Sequence, residues 1–240
     1  LAADFPAADI EFHGNNKSEV EITAAMKAGV GTIVIDSFDE ISRVSKIAKE
    51  LNKVQKIYLR LTPGVDAHTH EFISTAHEDV KFGFSIASGA AQDAIENCMA
   101  QSSLSLAGIH CHIGSQIFEV DGFNLAAKRL VAVLATFRDK YAKELPELNI
   151  GGGYGIAYTK EETAIAPELV IPAIAAVIKE ECAKAKLAIP RISIEPGRAI
   201  VGPTTTTIYL VGTTKSVTLD NGSERRYVSV DGGMSENIRP

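Results

Sequence analysis

The stretch ISIEPGR, residues 192–198, decides how the rest of the chain is read. Two apolar β-branched positions, Ile192 and Ile194, make it a buried strand, and Pro196-Gly197 ends that strand sharply. A carboxylate, Glu195, stands on one side of the turn and a guanidinium, Arg198, on the other. Glu195 can pair with a cationic ring nitrogen, while the N–H groups of Gly197 and Arg198 with the Arg198 side chain can hold an anion. Taken alone, the stretch reads more simply as a solvated turn with a local ion pair. The other strand ends shift that reading.

Working back from residue 192, apolar strand-like runs recur, each followed by a helical pattern. IEFHGNN (10–16) leads to a helix with a Ser18/Glu21 capping box and a stop at Gly29. TIVIDS (32–37) precedes a helix over 38–51, and KIYLRLTPG (56–64) a polar loop rich in His and Thr and then a helix over 87–100. LAGIHCHIGS (106–115) precedes a helix over 123–143, ELNIGGG (147–153) a helix over 167–185, and RISIEPG (191–197) comes last. Strands so evenly apolar are covered on both faces, which means a parallel sheet. The expected fold class is therefore α/β, a (β/α)8 TIM-type barrel. Six strand-then-helix steps suggest that about two units are missing from the front. The competing doubly wound sheet lacks a GxGxxG opening a helix after an early strand.

Beyond Val201 the texture becomes rich in Thr, Val and Tyr, with Asn221-Gly222 placed as a hairpin turn. The expected domains are a partial barrel over 1–202 and the start of an all-β domain, cut short, over 203–240. The chain also starts without Met, so it is expected to be an internal piece of a longer protein.

With 24 basic and 30 acidic residues the net charge is −6 and no basic block occurs, which argues against nucleic acid or an anionic membrane as partner. No apolar run approaches the roughly 20 residues that span a bilayer, and there is no basic-then-apolar leader. Cys98, Cys111 and Cys182, odd in number and scattered, suit reduced thiols of a cytoplasmic protein.

Barrel active sites gather at the carboxyl ends of the strands. The residues there are His13 with Asn15 and Asn16, Asp36 and Ser37, Arg60, His110, His112 and Ser115, Gly151 to Gly153, and Glu195 with Arg198. Alternation along a strand puts His110 and His112 on one face and Cys111 on the other. A metal site made of both histidines and the cysteine is thereby excluded, and the two histidines alone need further ligands. No metal is the favoured reading. His110 suits a buried imidazole bonded to backbone, and His112, beside Gly114-Ser115, a neutral imidazole lying on an aromatic ligand ring. The glycine run allows close backbone approach and an anion nest, or merely a sharp turn over the rim. His68, His70 and His77 read as a solvated loop. Lys17, leading into a capped helix, and Lys81, after a polar loop, read as surface lysines rather than Schiff-base lysines.

FHGNNKS, the run from HTHEFIST to KFGF, GIHCHIGSQI, NIGGGYG, SIEPGRAIV and VDGGMSENIRP follow one another in this order. Together they resemble the diaminopimelate decarboxylases, a family in the barrel-fold group of pyridoxal-phosphate enzymes that also holds the ornithine, arginine and carboxynorspermidine decarboxylases and alanine racemase. The resemblance implies pyridoxal 5'-phosphate as cofactor and decarboxylation of meso-2,6-diaminopimelate to L-lysine, the last step of lysine biosynthesis. It implies that His112 stacks on the cofactor ring, Ser115 contacts its phosphate region, Gly153, Gly197 and Arg198 cradle the phosphate, and Glu195 pairs with the pyridine nitrogen. Glu195 and His112 are thus the catalytic candidates, and Arg198 with Arg239 the binders of substrate carboxylates. It also implies a homodimer with shared active sites. The family's Schiff-base lysine falls before Leu1, and its Cys-Glu motif and a C-terminal tyrosine after Pro240. Ala76 and Val80 depart from the Gly and Ser of many relatives. The alternatives are another decarboxylase or a racemase of the same group, a non-catalytic regulator, and a metal-dependent barrel hydrolase using His110 and His112.

Overall fold

The computed structural model describes residues 3–65, 81–164 and 166–236. The chain forms two compact units, Leu1–Ile200 and Val201–Pro240.

In the first unit, strands and helices alternate: β1 (Glu11–Phe12), α1 (Glu19–Ala28), β2 (Thr32–Ile35), α2 (Phe38–Glu50), β3 (Gln55–Thr62), β4 (Phe84–Ser85) and α3 (Ala90–Met99). They continue as β5 (Leu104–His110), α4 (Asp121–Tyr141), β6 (Glu147–Gly152), α5 (Pro167–Ala185), β7 (Arg191–Glu195) and the short α6 (Gly197–Val201). Local chemistry accounts for several boundaries. Ser18 and Glu21 form a reciprocal capping box at the start of α1, and Gly29 ends that helix in the left-handed region at φ 78°. The Ser37 hydroxyl accepts the Glu40 N–H to begin α2, and Pro167 supplies a pre-set first residue for α5.

All pairings in the large sheet are parallel and run in chain order, β1-β2-β3-β5-β6-β7, with β4 beside β3. A doubly wound sheet reverses its order at a switch point; this one never does, so the winding is that of a partial (β/α) barrel. Its curl is visible in side chains that reach across the inner face. Glu11 of edge strand β1 accepts from Asn149 of β6 at 2.7 Å, and the Tyr58 hydroxyl of β3 donates to Glu147 of β6. On the outer face, Ile33, Ile35, Ile57, Leu59, Ile109, Leu148 and Ile150 belong to one buried apolar cluster with Ile41, Val44 and Ile47 of α2 and Leu130 and Leu134 of α4. Fully burying each such side chain contributes roughly 1.5–3 kcal/mol.

The expected strands are present but shorter at their ends. LAGIHCHIGS yields a strand that stops at His110, and IEFHGNN yields only Glu11–Phe12. The two-residue β4 in KFGF lies in a segment read as loop. In the second unit, β8 (Val211–Thr218) and β9 (Glu224–Val230) form an antiparallel hairpin, turning through Asn221 and Gly222 at φ 77°. Among the described residues no helix is long and apolar enough to cross a membrane.

Candidate active site at the carboxyl ends of the strands

Glu195 is the last residue of β7, and its neighbours come from within β6, from the end of β5 and from just past β1. Its Oε1 accepts from Asn149 Nδ2 at 2.8 Å, and lies 3.0 Å from His13 Nε2 and 3.4 Å from His110 Nε2. The two imidazoles meet edge to face, with ring centroids 4.8 Å apart and planes at 68°. His13 also faces Glu11 Oε2 at 3.7 Å, and the Asn149 amide bridges both carboxylates.

The charges follow from this packing. Burial opposes a charge on His13, but the hydrogen bonds that Glu11 and Glu195 accept from it outweigh this and raise its pKa from 6.5 to about 9. Burial also opposes ionisation of Glu195, yet His110 and His13 hold it well below the usual carboxylate range. His110, 1% exposed, is pushed the other way by desolvation and stays neutral. At neutral pH the cluster is therefore two carboxylates flanking one imidazolium.

His112 lies just past the end of β5 and is exposed, whereas Cys111 is fully buried beside Ile150 O at 3.5 Å. Although the residue is exposed, partial desolvation of its ring at the strand ends and the Arg60 guanidinium lower the His112 pKa, so it too is neutral; His110, His13 and Glu195 lie within electrostatic reach of it. Arg60 leans over the Phe82 ring at 4.6 Å and is 3.4 Å from Asp36, whose other oxygen accepts the Gly83 N–H at 3.1 Å. Arg198 donates to Gln116 at 3.0 Å, and Gln116 is itself fixed by the N–H and carbonyl of Ile156.

The glycine run is demanded first by its neighbours. A Cβ on Gly151 would stand 2.1 Å from Cys111 O, one on Gly152 2.2 Å from Glu195 O, and one on Gly153 2.2 Å from Gly114 O. These glycines let β6 pass between β5 and β7, and Gly151 and Gly153 have positive φ of 76° and 98°. Gly197 faces open space.

Lys17 is not a surface residue. It is 2% exposed, donates to Gly14 O at 2.5 Å and Val34 O at 2.8 Å, and pairs with Glu40 at 2.8 Å. The folding of α2 over the loop after β1 buries it. Lys81 is exposed as expected. Among the described residues, the group of three potential ligand atoms that converge within 4.8 Å belongs to His13, His110 and Glu195, so His112, considered with His110 as a metal pair, is not part of it. Sequence reasoning placed His13 among the strand-end residues without a specific role and passed over Glu11, Asn149 and Gln116, although an amide inside the apolar run ELNIGG is a signal. Ser115 is half-buried in the bend after His112. Arg239, His68, His70 and His77 lie outside the described residues.

A pyridine phosphate fits this donor set. Glu195 is an ionised carboxylate whose Oε2 receives no hydrogen bond among the described residues, and a neutral imidazole stands nearby at the open strand ends. The fold and site define a class, the barrel-type pyridoxal-phosphate decarboxylases: residues 1–202 match the family described as "Pyridoxal-dependent decarboxylase, pyridoxal binding domain", and the chain belongs to that family. Within it, the whole chain is 50% identical to 54% of the diaminopimelate decarboxylase of Mycobacterium bovis, and 45% identical to 54% of that of Bacillus subtilis. The solved diaminopimelate decarboxylase from M. jannaschii in co-complex with L-lysine matches all of this chain with 53% of its own, at TM-score 0.84 and 29% identity. The chain thus spans about half the length of the relatives it matches.

Proposed function

We propose that the whole protein to which this chain belongs decarboxylates meso-diaminopimelate to L-lysine with pyridoxal 5'-phosphate as cofactor. The observation that carries the reading is the Glu195 corner: a carboxylate held charged at the carboxyl end of β7, beside the neutral His112. The likeness of the whole chain to diaminopimelate decarboxylases supports the choice of substrate.

When bound, the cofactor supplies an electron sink for the carbanion left by loss of carbon dioxide. Glu195 favours the charged form of the ring nitrogen by offering it a carboxylate. His112 would lie on the ring face, and Ser115, Gly153, Gly197 and Arg198 would hold the phosphate. Arg198 keeps guanidinium N–H groups without a partner among the described residues after its bond to Gln116, which suits an anion. Arg198 and Arg239 hold the distal carboxylate of the substrate, a geometry lysine cannot copy. A homodimer with shared sites in the cytoplasm belongs to the same reading. It is supported by the family resemblance and, for the compartment, by the free, buried Cys98, Cys111 and Cys182.

The test is release of carbon dioxide by the full-length protein from meso-diaminopimelate, lysine, ornithine and arginine. Turnover of meso-diaminopimelate alone, with KM raised about tenfold by Arg239→Lys, is the expected result. Preference for ornithine or arginine, insensitive to that change, assigns another decarboxylase of the group; exchange at the α-carbon without carbon dioxide assigns a racemase.

A further inference from the structure

The two oxygens of Glu195 have different surroundings. Oε1 takes the Asn149 amide at 2.8 Å and sits against His13 at 3.0 Å and His110 at 3.4 Å, whereas nothing among the described residues donates to Oε2. Of the two imidazoles only His13 lies between two carboxylates, Glu11 and Glu195, and both of these accept from the one Asn149 amide nitrogen. Two carboxylates sharing one donor repel each other unless a cation lies between them. Without it, one of the pair takes up a proton or swings away.

We propose that His13 is a positioning residue: it pins Glu195 through Oε1, so that Oε2 alone is presented, charged and in fixed direction, to the ring nitrogen of the cofactor. The inference rests on the cofactor reading above and not on the choice of substrate. It agrees with the raised pKa of His13, which keeps the ring protonated through neutral pH. His110 completes the pocket as a neutral, buried neighbour whose edge limits where the His13 ring can turn. A carboxylate fixed through one oxygen loses little freedom when the other binds, so the recognition of nitrogen is pre-organised.

The test compares two ligands on the full-length protein stripped of cofactor: pyridoxal phosphate and its analogue with carbon in place of the ring nitrogen. By titration calorimetry, His13→Ala weakens pyridoxal phosphate roughly tenfold, the loss of one charge-assisted contact, and leaves the analogue unchanged. Glu195→Gln does the same, the double variant is no worse than either, and His13→Gln, which keeps a donor, recovers part of the loss. Equal weakening of both ligands, or additive losses in the double variant, overturns the proposal by making His13 merely structural. Zinc retained by the cofactor-loaded protein and lost in His13→Ala overturns it by assigning the cluster to a metal. A wild-type protein that binds neither ligand overturns the cofactor reading itself, an outcome distinct from the others.

Discussion

Lys17 and Glu40 face one another at 2.8 Å, each side chain only 2% exposed. The pair ties the loop after β1 to the loop after β2, because Lys17 also donates to Gly14 O and Val34 O while Glu40 accepts the Asp36 N–H at 2.8 Å. Asp36 in turn meets Arg60, so a continuous chain of polar contacts leads from the buried lysine to the rim of the site. Removing one member of a buried pair strands the other, at a cost of about 3–5 kcal/mol. Lys17→Met is expected to lose that much in urea unfolding, and Lys17→Met/Glu40→Gln to recover a good part of it. Burial already pushes the Glu40 pKa up, so the single variant is least destabilised at acid pH, where Glu40 takes a proton.

His13 gives the cofactor-free protein a second pH-dependent element. Its folded pKa of about 9 exceeds its ordinary 6.5, so its contribution is complete below pH 6.5 and lost as pH rises through 9. The side chain is 32% exposed, and after allowing for solvent screening the loss is on the order of 2 kcal/mol. Unfolding midpoints measured between pH 6 and 10 check it. Glu195→Gln is expected to flatten part of that slope, since it removes one of the two anions that raise the pKa and leaves Glu11.

How much of this was legible in the chain depends on the range of the interaction. The strand–helix alternation was readable because apolar β-branched runs and capping residues are local, and because an unbroken strand order follows from repeating one unit. The rim residues were readable as a class for the same reason: each follows an apolar run. Lys17 was misjudged because its neighbours Asn16 and Ser18 are polar, and only the tertiary path of α2 brings Glu40 over it. The glycine triplet was read as an anion nest or a sharp turn over the rim, whereas the carbonyls of Cys111, Glu195 and Gly114 already exclude side chains there. His13 and Glu11 gained meaning only when the curl of the sheet brought β1 within reach of β6 and β7.

The glycines offer a direct comparison. A methyl on Gly151 points at Cys111 O from 2.1 Å with φ at 76°, and the nearest atoms are all backbone of Cys111 and His112, which leaves no flexible group to yield. Gly151→Ala is expected to cost about 3 kcal/mol or more, through strain at a positive φ together with overpacking. Gly197→Ala, where the added methyl meets nothing within 4 Å, is expected to stay within about 0.5 kcal/mol of the parent. Thermal unfolding of the two cofactor-free variants checks both.

Asn149 is 1% exposed and satisfies three partners at once: its amide nitrogen donates to Glu11 at 2.7 Å and Glu195 at 2.8 Å, and its oxygen accepts the Gly151 N–H at 2.7 Å. Asn149→Asp keeps the shape and the acceptor for Gly151 but replaces the shared donor with a third carboxylate. Three acids packed this closely cannot all ionise beside one imidazolium, so one of them binds a proton more tightly folded than unfolded. A raised folded pKa in an acid means stability lost as pH rises past the unfolded value near 4 and regained as pH falls. Asn149→Asp is therefore expected to be destabilised by about 3 kcal/mol at pH 8 and by much less at pH 5. Asn149→Ala loses both donated hydrogen bonds and the acceptor for Gly151 without adding charge, and is expected to cost about 2 kcal/mol with no added slope between those pH values. Parallel urea titrations at pH 5 and pH 8 separate the two, and equal losses for Asn149→Asp at both would show that Glu11 and Glu195 do not share this amide in solution.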